Sequence, residues 1–301
     1  MSQLHVAVLM GGPSAERKVS LKSGEAVVKA LRGAGMRVSP VEVWGEEVRL
    51  PAGTDVVFLA LHGMFGEDGQ VQRLLEMQGV PYTGSGVEAS ERAFDKALAK
   101  EAFAAAGVPT PKYAVVERDV RPLTSMRPPV VVKPARQGSS FGVTKVTEAS
   151  KLEWAIEQAW RYDQKLIVEE CIRGREFTVG ILEEKALPVV EIRTEFFDYE
   201  AKYSGQTEEV VPAPLDAVTT ERIQQAALRA HQCLGCRDYS RVDVMLDGNG
   251  QAFVLEVNTL PGMTEQSLLP KAARAAGMSM EQLCARMVKL ALARRAEAVA
   301  A

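Results

Sequence analysis

Residues 254–262, VLEVNTLPG, set a carboxylate at Glu256 and a carboxamide at Asn258 inside an apolar run that ends at Pro-Gly. In a β-strand residues i and i+2 point to one face, so Glu256 and Asn258 project together while Val254 and Val257 serve packing. Two oxygen donors side by side suit a hard cation. Upstream, RVDVMLDGNGQAFVLEVN reads as a hairpin, with a strand over 241–246, a turn at 247–250 and a second strand over 252–258. Arg241 and Asp243 then share a face, and in-register pairing brings Asp243 beside Glu256 and Asn258. Mg²⁺ takes one or two carboxylates, keeps waters and completes its shell with phosphate oxygens. Three oxygen donors beside one guanidinium therefore suit a metal-bound nucleotide phosphate. Spacing alone equally allows a surface hairpin with solvated acids.

Other stretches carry chemistry less specifically. KPARQGSSFGV joins Lys133, at a strand end, to a loop of small residues that could lie over phosphates and donate backbone N–H groups. The order, lysine first and glycine later, is not that of a Walker A loop. Lys96, in FDKAL at a helix start, reads by default as a solvated lysine. In LIVEEC, Glu169 and Glu170 follow an apolar strand, either receiving an adenine amine or standing as surface acids. Glu16, in GGPSAER, could pair a substrate ammonium; alternatively Ser14 caps the next helix and Glu16 is a favourable first-turn acid. His62 at the end of a strand is more often a structural hydrogen-bonder than a catalyst. Cys233-Leu-Gly-Cys236 has the spacing of a metal or redox pair, but no second pair or nearby histidine completes it, so packing thiols are expected.

These residues need elements to position them. The first ninety residues alternate strand and helix: HVAVLM, a helix over 16–35, RVSPVEV, DVVFLALHG, a helix over 66–79, and a short strand VPYTGSG. Such units build a doubly wound parallel sheet that binds ligands at the carboxyl ends of its strands. Those ends carry Glu16 and His62. A second, α+β unit runs from a helix over 90–106 through strands VVVKPA, TKV and LIVEECI, with a helix over 149–162. The third has a hairpin over 177–192, a long loop over 198–215, a helix over 216–234, the metal hairpin and an amphipathic terminal helix. The expected divisions are 1–93, 94–177 and 178–301.

Composition narrows the classes. A chain of 301 residues, 47% hydrophobic, is expected to form two or three globular domains. No stretch approaches the about 18 unbroken apolar residues of a membrane helix, and the start lacks an export signal, so a cytoplasmic protein with no membrane partner is expected. A net charge of −3, evenly spread, argues against a nucleic-acid surface. The four cysteines are expected to stay reduced.

Taken together, GGPSAER, LHGMFGEDG, PYTGSG, Asp95-Lys96, VVKPARQGSS, EFTVG, YEAKY, RVDVMLD and LEVNTLPGMT occur in the order and spacing of the D-alanine–D-alanine ligases. The chain resembles that family over nearly its full length. The resemblance implies an ATP-grasp fold: an N-terminal doubly wound parallel α/β domain, with ATP held between central and C-terminal α+β domains. It implies that Asp243, Glu256 and Asn258 ligate two Mg²⁺ or Mn²⁺ ions on ATP. Arg241 and the Gly262 amide would steady an oxyanion. Lys96, Lys133 and Lys202 match phosphate contacts, and Glu169 and Glu176 the adenine and ribose contacts. Glu16, near His62, would hold the first D-alanine's ammonium, with Ser139 and Tyr203 as its partners on closure. Ser267 would sit near the second substrate's carboxylate. A homodimer formed through the first domain is the family expectation.

The implied activity is ATP-dependent ligation of two D-alanines through a D-alanyl phosphate, for peptidoglycan. The glycine-serine loop and residues 198–212 would serve as lids that exclude water. After Tyr203, SGQTEEVVPAPL is one residue shorter than the family pattern and lacks its aromatic-cysteine pair, which bears on closure of the second lid. Tyr203 is the residue type linked to D-alanine as second substrate. The competing readings are a relative using D-lactate or D-serine and a nucleotide-binding regulator without catalysis; the complete set of metal ligands, arginine and lysines weighs against the latter.

Overall fold

The computed structural model describes residues 3–118, 124–138, 141–193 and 208–300, with side chains as far as 294. The described residues form three sheets. In the first, β1 (His5–Gly11) lies between β2 (Arg37–Val43) and β3 (Val56–Leu59), all parallel. β1 and β3 are buried along their whole length, as continuous apolar runs in parallel sheets are. Helix α1 (Arg17–Gly33) packs Val27, Val28 and Leu31 into their core. The expected strand at 80–86 is only a bridge between Val57 and Tyr82. Pro81 offers a carbonyl and no N–H to the ladder, and the Gly84-Ser85-Gly86 turn ends the pairing.

Helices α2 (Gln70–Met77), α3 (Val87–Phe94) and α4 (Lys96–Ala105) follow. The sequence pattern predicts a single helix over 90–106; the chain breaks it at Asp95. There φ is −85° and ψ is 103°, and the Asp95 carboxylate accepts from the N–H groups of Ala97 and Leu98, starting a new helix. Lys96 thereby becomes the first residue of α4.

The second sheet has the order β4 (Tyr113–Glu117), β7 (Lys165–Glu170), β5 (Val130–Pro134), β6 (Thr144–Val146), all antiparallel. A 3₁₀ turn at Ala149–Lys151 leads into α5 (Leu152–Ala159), shorter than the expected 149–162. That helix packs Ala155 and Ile156 on Val130, Val132, Leu166 and Val168. By alternation Val131, Lys133 and Glu169 turn to the opposite face.

In the third sheet β8 (Gly174–Leu182) lies between β10 (Val190–Arg193) and β12 (Tyr239–Asp247); β13 (Ala252–Asn258) pairs with β12, and β9 (Lys185–Ala186) with β8. Part of the expected long loop is a strand, β11 (Glu208–Val210), paired with β10. Helix α6 (Ala217–Cys233), capped by Asp216, packs Ile223, Ala227 and Ala230 on this sheet, and α3 and α4 share the same core. After α7 (Leu268–Ala275), the terminal helix α8 (Met280–Ala300) returns to the first sheet with Leu283, Met287 and Val288. All four cysteines are free thiols, and burial pushes Cys236 up to about 12, which fits packing. Among the described residues no helix is long and apolar enough to cross a membrane.

Candidate active site

The β12–β13 hairpin pairs Arg241 with Asn258, Val242 with Val257 and Asp243 with Glu256, which brings Asp243 beside Glu256 and Asn258 as expected. The pairing then jumps: Val244 faces Val254 and Leu255 is left over. Such a bulge inverts the side-chain phase. Val254 is buried before it and Val257 after it. The packing role expected of Val254 holds, but not by alternation, which would turn Val254 to the face of Glu256; with Leu255 bulged, Val254 packs while Glu256 and Asn258 share the face of Asp243.

On that face Arg241 donates to both oxygens of Asp243, at 3.0 Å from Nε and 2.9 Å from Nη2. Thr178, opposite Asp243 on β8, donates to Oδ1 at 2.6 Å, and Asn258 Nδ2 reaches Oδ2 at 3.4 Å. Burial works against the Arg241 charge, but Asp243, and after it Glu256 and Glu67, hold the guanidinium above its usual value. The two carboxylates and one carboxamide are all hard oxygen donors. Each carboxylate already faces a cation, Asp243 the guanidinium and Glu256 the Lys96 ammonium at 3.5 Å. Their chemistry fits a divalent cation.

The lysines are not solvated. Lys96 is 8% exposed, and its Nζ also donates to the Gln137 carbonyl at 2.7 Å, where the glycine-serine loop begins. Lys133 and Lys100 both pair with the buried Glu169, Lys100 at 2.8 Å. Burial alone would raise the Glu169 carboxyl, yet Lys133 and then Lys100 hold it below its ordinary value. Lys133 is in turn held above its own by Glu169 and then Glu256, against its burial. The Glu169 carboxylate therefore stands as a counter-ion shared by two lysines, not as a surface acid.

A cavity of about 670 Å³ is lined by Val131, Lys133 and Glu169 from the second sheet and Glu176, Asp243 and Met245 from the third. Cys171, Ile172 and Arg173 line it where the chain passes from one sheet to the other. A narrow cleft adjoins it, lined by Glu67, Lys96, Gly138, Glu256 and Asn258.

Gly63 and Gly138 both close on the Glu16 carboxylate; a Cβ on Gly63 would stand 2.7 Å from Oε2. Ser14 does not cap α1: its hydroxyl donates to the His62 carbonyl, and Glu16 occupies the capping position. Glu67 accepts from the Gly63 N–H at 2.9 Å, and burial, then Glu16, raise its carboxyl well above the usual range. His62 is buried, its Nδ1 facing the Leu260 carbonyl at 2.9 Å and its Nε2 the Ser23 hydroxyl at 3.1 Å. Ser23 also accepts from Met263 N–H at 3.1 Å, so His62 and Ser23 pin the turn that contains Gly262. Ser267 closes that turn, accepting from Thr264 N–H at 3.0 Å, and stands at the start of α7. Ser139, Lys202 and Tyr203 lie outside the described residues.

Two family models match the sequence, one described as "D-ala D-ala ligase C-terminus" over residues 102–289 and one as "D-ala D-ala ligase N-terminus" over residues 43–85. A D-alanine–D-alanine ligase of Methylacidiphilum infernorum is 46% identical over 293 residues, 96% of each chain. The chain belongs to the D-alanine–D-alanine ligase family. A ligase of Geotalea uraniireducens is 47% identical over 95% of each chain. Among solved structures, the D-alanine–D-alanine ligase of Bacillus anthracis complexed with ATP superposes with a TM-score of 0.88 at 33% identity, covering 98% of this chain and 99% of that one. The D-Ala:D-Ser ligase VanG of Enterococcus faecalis gives 0.85 at 30% identity, covering 96% and 99%. The ATP-grasp architecture of the D-alanine–D-alanine ligases is thus the fold of this chain.

Several polar residues of this member of the D-alanine–D-alanine ligase family escape sequence reasoning. Lys100 is one helical turn beyond Lys96, but its burial depends on the second sheet. Thr178 looks like an ordinary strand residue until β8 and β12 pair. Glu67 has a local signal, GEDG, yet its surroundings come from residues remote in sequence.

Proposed function

We propose that this enzyme ligates two D-alanine molecules to D-alanyl-D-alanine, with ATP converted to ADP and phosphate through a D-alanyl phosphate, supplying dipeptide for peptidoglycan. The observation that carries this reading is the convergence of Lys96, Lys133, Asp243 and Glu256 on the cavity and adjoining cleft, with Arg241 bonded to Asp243 and Glu16 against Gly138 on the cleft wall.

ATP is assigned to the cavity, with Glu176 toward its ribose, Glu169 at the adenine side and Lys96, Lys133 and Lys202 toward its phosphates. Asp243, Glu256 and Asn258 would hold Mg²⁺ or Mn²⁺, which when bound would neutralise phosphate charge. Phosphoryl transfer asks mainly for alignment and charge stabilisation, which the lysines provide. Glu16 receives the first D-alanine's ammonium, and that substrate's carboxylate oxygen bonds to the γ-phosphorus as ADP leaves. The second amine then attacks the acyl carbon and loses a proton, and phosphate departs. Arg241 and the Gly262 amide are assigned to the oxyanion formed in this step. Ser267, beside the positive N-terminus of α7, is assigned to the second carboxylate. Ser139 and Tyr203 complete the assignment as partners of Glu16. A homodimer formed through the first unit completes the proposal, and sedimentation would test it.

Phosphate release is measured from ATP and Mg²⁺ with D-alanine alone, then with D-lactate or D-serine added, and products are identified by mass. One dipeptide per phosphate from D-alanine alone is expected. Turnover only with a mixed pair would reassign the second substrate, and ATP binding without turnover would leave a regulator.

A further inference from the structure

Resting on the assignment of Lys133 to phosphate, we infer that Lys100 is a positioning residue for nucleotide phosphate binding, acting through Glu169 on Lys133. Lys100 does not line the cavity. It lies on α4, four residues after Lys96, with its side chain 1% exposed. Its Nζ donates to Thr110 Oγ1 at 2.6 Å and pairs with Glu169 Oε2 at 2.8 Å. The other Glu169 oxygen meets Lys133, whose ammonium faces the cavity wall. Thr110 passes its own proton to the Val254 carbonyl at 2.8 Å, on β13 beside the bulge. One chain of two hydrogen bonds and two ion pairs therefore joins the strand that carries Glu256 and Asn258 to the lysine assigned to phosphate.

Charge makes the role specific. Burial lowers Lys100 from its ordinary value, against the pull of Glu169; while both lysines hold their protons on the one carboxylate, the trio keeps one net positive charge. Without Lys100, Glu169 and Lys133 form a closed neutral pair, and the carboxylate draws the Lys133 ammonium away from an incoming phosphate. A buried pair made only for stability is readily replaced by packed apolar groups. A lysine kept fully buried next to a second lysine instead fixes where charge stands.

The test compares wild type, Lys133→Met and Lys100→Met by calorimetric titration with ATP and Mg²⁺, and separately with adenosine. Lys100→Met is expected to weaken ATP roughly tenfold or more and adenosine distinctly less, since both share the adenine side of Glu169 but only ATP meets Lys133. A purely structural lysine would weaken both equally or neither, and either result overturns the inference. If wild type fails to bind ATP, or Lys133→Met binds it normally, the assignment beneath the inference has failed instead. Should Lys100→Met not fold, Thr110→Val keeps the charge and removes the anchor. Its expected effect is a smaller loss, greater for ATP than for adenosine; no loss, or an equal loss for adenosine, overturns the role.

Discussion

Mild acid is expected to unlock His62 through the unfolded state before it changes the folded one. Nδ1 faces a carbonyl, so it carries the proton, and Nε2 accepts from Ser23. Burial first, and the Arg241 charge with it, lower His62 from 6.5 to about 4, against the Leu260 carbonyl. The folded value is the lower one, so the unfolded chain binds the proton first as pH falls. The stabilisation is full above about pH 7, declines through the window from 6.5 to about 4, and is gone below it. At about 1.4 kcal/mol per decade the whole effect is roughly 3 kcal/mol, of which about 2 kcal/mol is lost at pH 5.

Urea unfolding of wild type and His62→Asn at pH 7 and 5 measures it. Asparagine keeps a donor for Leu260 and has no proton to take up. At pH 7 the variant should be less stable by about 1–3 kcal/mol, from the lost Ser23 bond and the vacated ring volume. At pH 5 the gap should shrink by about 2 kcal/mol. The difference between proteins is the quantity to follow, because Glu67, raised by burial and by Glu16, contributes the opposite slope. A gap that does not change with pH would refute the reasoning. Activity gives a second handle: the folded enzyme should keep its Gly262 turn at pH 5 and lose it only near pH 4.

Three further outcomes follow from the site. Arg241→Ala should leave ATP binding nearly intact and lower dipeptide formation by about two to three orders of magnitude; lost ATP binding, read by titration, would place Arg241 elsewhere. Gly138→Ala drives a methyl group into the Glu16 carboxylate and should raise the KM for the first D-alanine roughly tenfold with ATP affinity unchanged, a split that steady-state kinetics reads directly. Glu256→Gln removes one of two carboxylates and should shift the Mg²⁺ concentration for half-maximal phosphate release upward; an unchanged Mg²⁺ dependence would exclude it as a ligand.

Local pattern made much of this site legible. The hairpin over 241–258 is legible from alternation and an Asp-Gly-Asn-Gly turn, but it is the bulge that sets Asp243 opposite Glu256, where the register running from the turn would have set Leu255. The bulge at Leu255 has no such signal, since an apolar residue fits either phase. The helix break at Asp95 was written in the chain as a capping aspartate, but apolar spacing continues across it and masks it. Lys96 and Lys100 look solvated on α4 because a helix alone does not say what it packs against. Their burial is set by Gln137, Glu169 and Glu256, 41 to 160 residues away in sequence. Tertiary contact, not propensity, decides whether a lysine is a solvent handle or a fixed charge.

The resulting electrostatics bear on how ligands enter. Arg241 with Asp243 and Lys96 with Glu256 are each compensated within the protein, and Lys133 and Lys100 share the one carboxylate of Glu169. An isolated buried charge costs several kcal/mol, so the side chains that would meet metal and phosphate have had to find one another. Under the proposed assignments, ligand binding to such a site would be an exchange of partners: phosphate oxygens would compete with the Gln137 carbonyl for Lys96, and a cation with Arg241 for Asp243. Exchange costs less than desolvating bare charges, and it frees Arg241 only when Asp243 has another counter-ion. The guanidinium assigned to the second chemical step would thus become available once the nucleotide of the first is in place, and that order is built into the pairings of β12.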